Sequence, residues 1–183
     1  KTVDVNNAAV FDLNITNMGL QSDNYNISVE VMNPQWEISF PAVIEDVASN
    51  TTSDFQVSFT PKNNVTAAEH LFTIIATSQG NTSRFDSTVV GITLNQYYGL
   101  RLIMPLDYQK VFPGNTLFYP VKIINDGNGE DTFDLYTSSD WGAQTRVDGF
   151  PSGEITLAAF RSIDAELKIV VPDSATVNDY KEI

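Results

Sequence analysis

The stretch INDGNGEDTFDL, residues 124–135, decides how this sequence folds. It is rich in glycine and acid and is bracketed by apolar residues. Three readings compete for it: a calcium loop, a phosphate cradle, or a turn between strands. A second copy orders them. FDLNITNMGLQSDNYNISV (11–29) aligns without a gap on YPVKIINDGNGEDTFDLYT (119–137), an offset of 108 residues. Leu13 matches Val121, Ile15 matches Ile123, Asn17 matches Asn125 and Gly19 matches Gly127. Asp23, Tyr25 and Ile27 then match Asp131, Phe133 and Leu135.

Against the EF-hand pattern, Asp126, Asn128 and Glu130 stand at suitable odd positions for oxygen ligands. The sixth position, however, is Asp131 where Gly is needed, and the twelfth is Thr137 in place of Glu. The upstream copy, NMGLQSD, keeps the turn residues and loses the intervening acids. The stretch therefore reads first as the turn between the second and third strands of a sandwich. Asn and Gly would supply a left-handed backbone, and the Asp would accept loop N–H groups. A weak calcium site on Asp126, Asn128 and Glu130 is the alternative.

Outside this stretch, apolar residues alternate. Phe11, Leu13 and Ile15 do so, as do Tyr25, Ile27, Val29 and Val31, then Trp36, Ile38 and Phe40, then Phe55, Val57 and Phe59. Tyr119, Val121 and Ile123 follow, with Phe133 and Leu135, and finally Ala165, Leu167, Ile169 and Val171. Period two over short runs broken by Asn, Gly, Pro and Ser predicts strands with one buried face. No segment carries a convincing amphipathic helix, so the expected class is all-β. Each copy has a tryptophan, Trp36 and Trp141, and an alternating strand that ends in proline, FQVSFTP (55–61) and ELKIVVP (166–172). Two copies of a unit near 100 residues predict two tandem immunoglobulin-like β-sandwiches, residues 1–95 and 96–183.

Composition sets outer bounds. The chain has 183 residues, 42% of them hydrophobic and 11% aromatic, which suffices for real cores. Its formal net charge of −13 repels phosphate backbones and anionic lipid heads, making nucleic acid and charged membranes poor partners. The sequence holds no cysteine, which excludes thiol catalysis, thiolate metal sites and disulfides. No apolar run reaches membrane-spanning length, so no direct membrane insertion is expected of this stretch.

The quoted residues resemble a family pattern. Asn-x-Gly with Asp four residues later leads into an aromatic strand, then Pro34, Trp36, Ile38 and Phe40 in PxWxIxF, then a strand ending in Pro61 and a last hairpin. This is similar to the Ig-like repeats found beside carbohydrate-binding modules in alpha-galactosidases, in adhesion-type repeats, and in long archaeal or bacterial cell-surface proteins. The second copy departs from it: no Pro stands two residues before Trp141, and LAAFRS (157–162) occupies the place of a Pro-Gly turn. The resemblance implies an extracellular spacer or assembly module whose partners are neighbouring repeats or subunits of the same protein. The repeat also predicts that each sandwich is incomplete at its outer end. The first copy has no strand matching YYGLRLIMP (97–105), and the second stops at Tyr180–Ile183, where the hairpin of residues 71–94 begins in the first.

Five sequons are present, at Asn14, Asn26, Asn50, Asn64 and Asn81. Chance would give about two or three, so their placement matters more than their count. Asn14 and Asn26 lie between inward residues and should face solvent. Asn50 and Asn64 fall in connections, and Asn81 lies in a hairpin turn. All are in the first sandwich. Trp36, Trp141, Tyr97 and Tyr98 are candidate sugar-stacking rings, with a core role as the competing reading for the tryptophans and junction packing for the tyrosines. The single histidine, His70, sits beside Glu69 without a nucleophile, and no pair of acids stands out for glycoside hydrolysis. An enzyme is not expected. The leading expectation is a non-catalytic, N-glycosylated structural module without a cofactor beyond weak calcium. The alternative is a carbohydrate-binding or accessory module of a secreted glycosidase.

Overall fold

Alternating side chains point to opposite faces of a strand, so each short alternating run has one face to bury. The computed structural model describes residues 1–30, 34–106, 108–148 and 150–176, with the backbone alone for Phe150. Val31 and the Tyr180–Ile183 segment lie outside the described residues. The chain divides into two compact units, Lys1–Gln96 and Tyr97–Ile183. Every regular element among the described residues is a strand.

The first unit contains β1 (Thr2–Val3), β2 (Ala9–Thr16), β3 (Asp23–Glu30), β4 (Trp36–Ser39), β5 (Val43–Val47), β6 (Thr52–Pro61), β7 (Glu69–Ser78) and β8 (Phe85–Leu94). One sheet runs β2-β6-β4 and the other β1-β8-β7-β3-β5. From β2 to β6 the chain changes sheet at every step, then closes with the β7–β8 hairpin. The pairing of β1 with β8 is parallel. Between the sheets lie Trp36, Val57, Phe59, Phe72, Ile74 and Ile92, all buried. The Phe59 and Phe72 rings approach to 4.5 Å, and Trp36 meets Phe72 edge-on at 5.0 Å.

The second unit repeats this plan with β9 (Leu100–Ile103), β10 (Thr116–Asn125), β11 (Asp131–Asp134), β12 (Gly142–Val147), β13 (Phe150–Pro151), β14 (Glu154–Leu157) and β15 (Ser162–Val170). Its sheets run β13-β12-β15-β10-β9 and β11-β14. Equivalent strands keep equivalent registers. Ala9 pairs with Phe59 where Leu117 pairs with Ile169, and Asp23 pairs with Val47 where Asp131 pairs with Leu157. The core forms two clusters, around Tyr119, Leu167 and Ile169 and around Ile123, Phe133 and Ile155, with Val121 packed against both. The repeat in sequence is thus a repeat in structure: two tandem immunoglobulin-like β-sandwiches.

The opening stretch proves to be an arch between sheets. Asn125 is fully buried and stitches the arch shut. Its Nδ2 donates to the carbonyls of Gly129 (2.8 Å), Leu157 (2.9 Å) and Ala158 (3.2 Å), while its Oδ1 accepts Gly127 N–H at 2.8 Å. Asn17 does the same in the first unit. Its Nδ2 donates to Gln21 O and Val47 O, both at 2.8 Å, and its Oδ1 accepts Gly19 N–H at 2.8 Å. This corrects the expected left-handed turn, for neither asparagine nor the following glycine has positive φ. The glycines are required by closeness instead. A Cβ on Gly19 would lie 2.9 Å from Asn17 Oδ1, and one on Gly127 would lie 2.9 Å from Asn125 Oδ1 and 2.7 Å from Tyr97 O.

Left-handed residues do recur elsewhere. Asn6 (φ 63°) and Gly114 (φ 79°) occupy matching positions before β2 and β10. Asn50 (φ 55°) and Phe160 (φ 58°) match before β6 and β15. The LAAFRS segment therefore keeps the turn of the first unit despite its different sequence. Thr51 N–H donates to Ala48 O at 3.1 Å, and Arg161 N–H to Ala158 O at 3.2 Å. A residue with a Cβ in this region costs about 1–2 kcal/mol.

Replacing Asn125 by Asp keeps the shape and removes both donors, leaving buried carbonyls unpaired beside a new charge. We expect Asn125→Asp to lower the second unit's stability by about 3 kcal/mol at pH 7, read by urea unfolding. A loss below about 0.5 kcal/mol would show the stitch to be dispensable.

Candidate functional site

Of the three residues that suggested calcium, Asp126 and Asn128 are engaged by residues 97–101, which open the second unit. Arg101, on β9, forms a two-point ion pair with Asp126, Nε to Oδ2 at 2.8 Å and an Nη to Oδ1 at 2.9 Å. The guanidinium hydrogen bonds hold the Asp126 carboxyl below its usual range. Asp126 N–H donates to Gly99 O at 3.0 Å and Asn128 N–H to Tyr97 O at 3.3 Å. The Asn128 Oδ1, fully buried, accepts Tyr97 N–H at 2.7 Å. Glu130 is exposed. Asp126, Asn128 and Glu130 thus do not converge on a cation, and no group of three His, Cys, Asp or Glu that could hold a metal occurs among the described residues. The calcium reading is corrected: Asp126 and Asn128 clamp a strand. Sequence reasoning missed this because Tyr97 and Arg101 lie more than twenty residues upstream and carry no motif.

In the first unit the matching arch is apolar at its tip. Met18 and Leu20, counterparts of Asp126 and Asn128, are 87% and 94% exposed. Asp23 closes the other side of this arch. Its Oδ2 accepts the Ser78 hydroxyl, and its Oδ1 accepts the N–H groups of Asn24 (2.8 Å) and Gly80 (3.0 Å). The Ser78 hydrogen bond first, then the two backbone donors, hold the carboxyl below its ordinary value against a partial desolvation. Asp23 is the acceptor of loop N–H groups that the sequence predicts, and it joins the arch to the β7–β8 turn.

All five sequon asparagines are exposed. Asn14 stands on β2 and Asn26 on β3, on the faces turned from the core, and Asn26 Oδ1 accepts Gln79 Nε2 at 2.7 Å. Asn50 occupies the left-handed turn, with Nδ2 on Ser49 Oγ at 3.0 Å. Asn64 lies between β6 and β7, and Asn81 caps its own turn by accepting Ser83 N–H at 3.1 Å.

The aromatic candidates separate. Trp36 is 5% exposed between the sheets, so it has no face to offer a sugar; that candidate is corrected to a core residue. Its indole N–H has no partner among the described residues. Trp141 is half-buried against the Tyr119 cluster, and Tyr97 is half-buried and bonded to the arch. Only Tyr98, at 72% exposure, presents an open ring among the four. His70 lies on β7, half-buried, with its ring 5.1 Å from Trp36 and Nε2 3.0 Å from Thr66 O.

No family model matches the chain, and no curated protein matches it. Solved structures similar to it include the CupB2 chaperone of Pseudomonas aeruginosa, at 13% identity and TM-score 0.37, covering 94% of this chain and 89% of that one. A protein of unknown function from Porphyromonas gingivalis is 15% identical with TM-score 0.38, covering 92% and 77%. The secreted serine protease VesC of Vibrio cholerae is 12% identical with TM-score 0.36; 99% of this chain aligns, spanning 47% of that one. These TM-scores, all below 0.5, carry no argument about what this chain does, and the fold rests on its own topology.

A carboxyl with a lowered folded pKa adds stability that is complete above its ordinary value near 3.8 and is lost as pH falls through the folded value. Asp23→Asn should therefore weaken the first unit by about 1 kcal/mol at pH 7, with the gap to wild type closing below pH 3.8. Urea titrations across that range read it. An unchanged gap down to about pH 2 would contradict the assignment.

Proposed function

We propose that this chain is a non-catalytic structural module of an extracellular or cell-surface protein, a spacer or assembly segment of archaeal or bacterial origin, N-glycosylated on its first unit. The observation that carries this reading is the placement of the five sequons: all five asparagines are exposed, on two strands, two connections and one hairpin turn. A glycan needs that placement, since its bulk cannot be buried. Tandem sandwiches and a net charge of −13 support the same reading, because like charge keeps such units soluble and apart. The partners would be neighbouring repeats or subunits. The alternative, a carbohydrate-binding or accessory module of a secreted glycosidase, keeps one open ring of its four, Tyr98.

Intact mass of the chain from its native source, before and after chemical deglycosylation, tests the proposal. The expected result is excess mass that maps to peptides holding Asn14 or Asn26. All five asparagines bare in material from that source would overturn the glycosylated reading.

A further inference from the structure

The two units differ at one sheet edge. In the second, β9 lies antiparallel along β10, with Ile103, Leu102, Arg101 and Leu100 opposite Lys122, Ile123, Ile124 and Asn125. The matching residues of the first unit, Asn14, Ile15, Thr16 and Asn17, end a strand that is the outermost of its sheet. A cleft of about 1090 Å³ opens beside that edge, floored by Leu13, Ile15, Phe55 and Ile74 and bounded on its far side by the start of β8. Three large apolar side chains stand on its rim, Met18, Leu20 and Phe85, 87%, 94% and 69% exposed, among polar neighbours that include Arg84 and Asp86. An eight-residue edge strand beside a trough with an apolar floor is a template for strand addition.

We propose that this cleft is a strand acceptor, and that its occupant is an extended peptide segment from outside residues 1–183, added antiparallel to β2 along Asn14–Asn17 in the register of β9 on β10. Within these 183 residues β9 is committed to β10, and Lys1 is tied to the opposite sheet, its ammonium donating to Gly91 O at 2.8 Å. The arches state the selectivity. In the second unit Asp126 selects Arg101 on the incoming strand. In the first unit Met18 stands in its place, so the position matching Arg101 should be apolar. The occupant is thus an alternating strand like residues 97–103 with a large aliphatic residue where the arginine stands. This inference rests on the comparison of the two units and is independent of the cell-surface reading.

The test uses the full chain and labelled synthetic peptides of residues 96–104, QYYGLRLIM, as such and with Arg101→Leu. Fluorescence anisotropy reads affinity, and hydrogen exchange locates the site. The leucine peptide should saturate with a Kd on the order of 10–100 µM, at least about three-fold tighter than the arginine peptide. Methylating alternate peptide nitrogens should abolish binding, and amide protection should rise along residues 14–17. No saturable binding by either peptide would overturn the proposal. So would binding indifferent to methylation, or protection that rises only along residues 131–137.

Discussion

Each sandwich depends on one buried asparagine. Where the chain passes from one sheet to the other, carbonyls of the arch and of the facing strand lose ladder partners, and each one left buried and unpaired costs about 1–3 kcal/mol. Asn17 and Asn125 meet this cost with a single side chain that both donates and accepts. Their amide nitrogens reach the arch and the facing sheet, at Val47 O in one unit and Leu157 O in the other, while their oxygens fold the arch upon itself. Asp has no donor for this task, and Gln would place its amide one carbon too far. The glycine two residues on follows from the same contact, because its hydrogen lies where any Cβ would crowd the asparagine oxygen. Asn-x-Gly is therefore one device with two parts.

Much of this was legible in the sequence because it occurs twice. The gapless alignment of residues 11–29 on 119–137 located the arch, and alternation located β2, β3, β6, β10 and β15. What the alignment could not supply was the reason for Asn and Gly. Both residue types suit left-handed turns, and the competing use, a side chain bridging sheets, depends on Val47 and Leu157, about thirty residues distant. Short strands were also hidden. β5 (VIEDV) and β14 (EITL) carry only two or three inward residues, too few to establish a period. Trp36 could not be assigned from its alternation with Ile38 alone, since inward residues and exposed platforms share that pattern. Phe160 shows the reverse case, in which the second unit keeps a left-handed turn that its residue types argue against.

The differences between the units bear on interaction more than their likeness does. The same arch carries Asp126 and Asn128 where a strand lies beside it, and Met18 and Leu20 where none does among the described residues. A surface that changes from charged to apolar at matched positions changes the kind of chain it can hold. The exposed asparagines lie on the same unit, so glycans and a strand partner would share one module.

The central claim, that each sandwich is closed by a buried asparagine amide, is tested most directly by hydrogen exchange of the side-chain NH2 groups of Asn17 and Asn125 observed by NMR. Both amides should exchange with the protection of core backbone amides such as Ile123 and Val57, and far more slowly than the exposed amide of Asn14. Exchange of Asn17 and Asn125 at the rate of Asn14 would contradict the account.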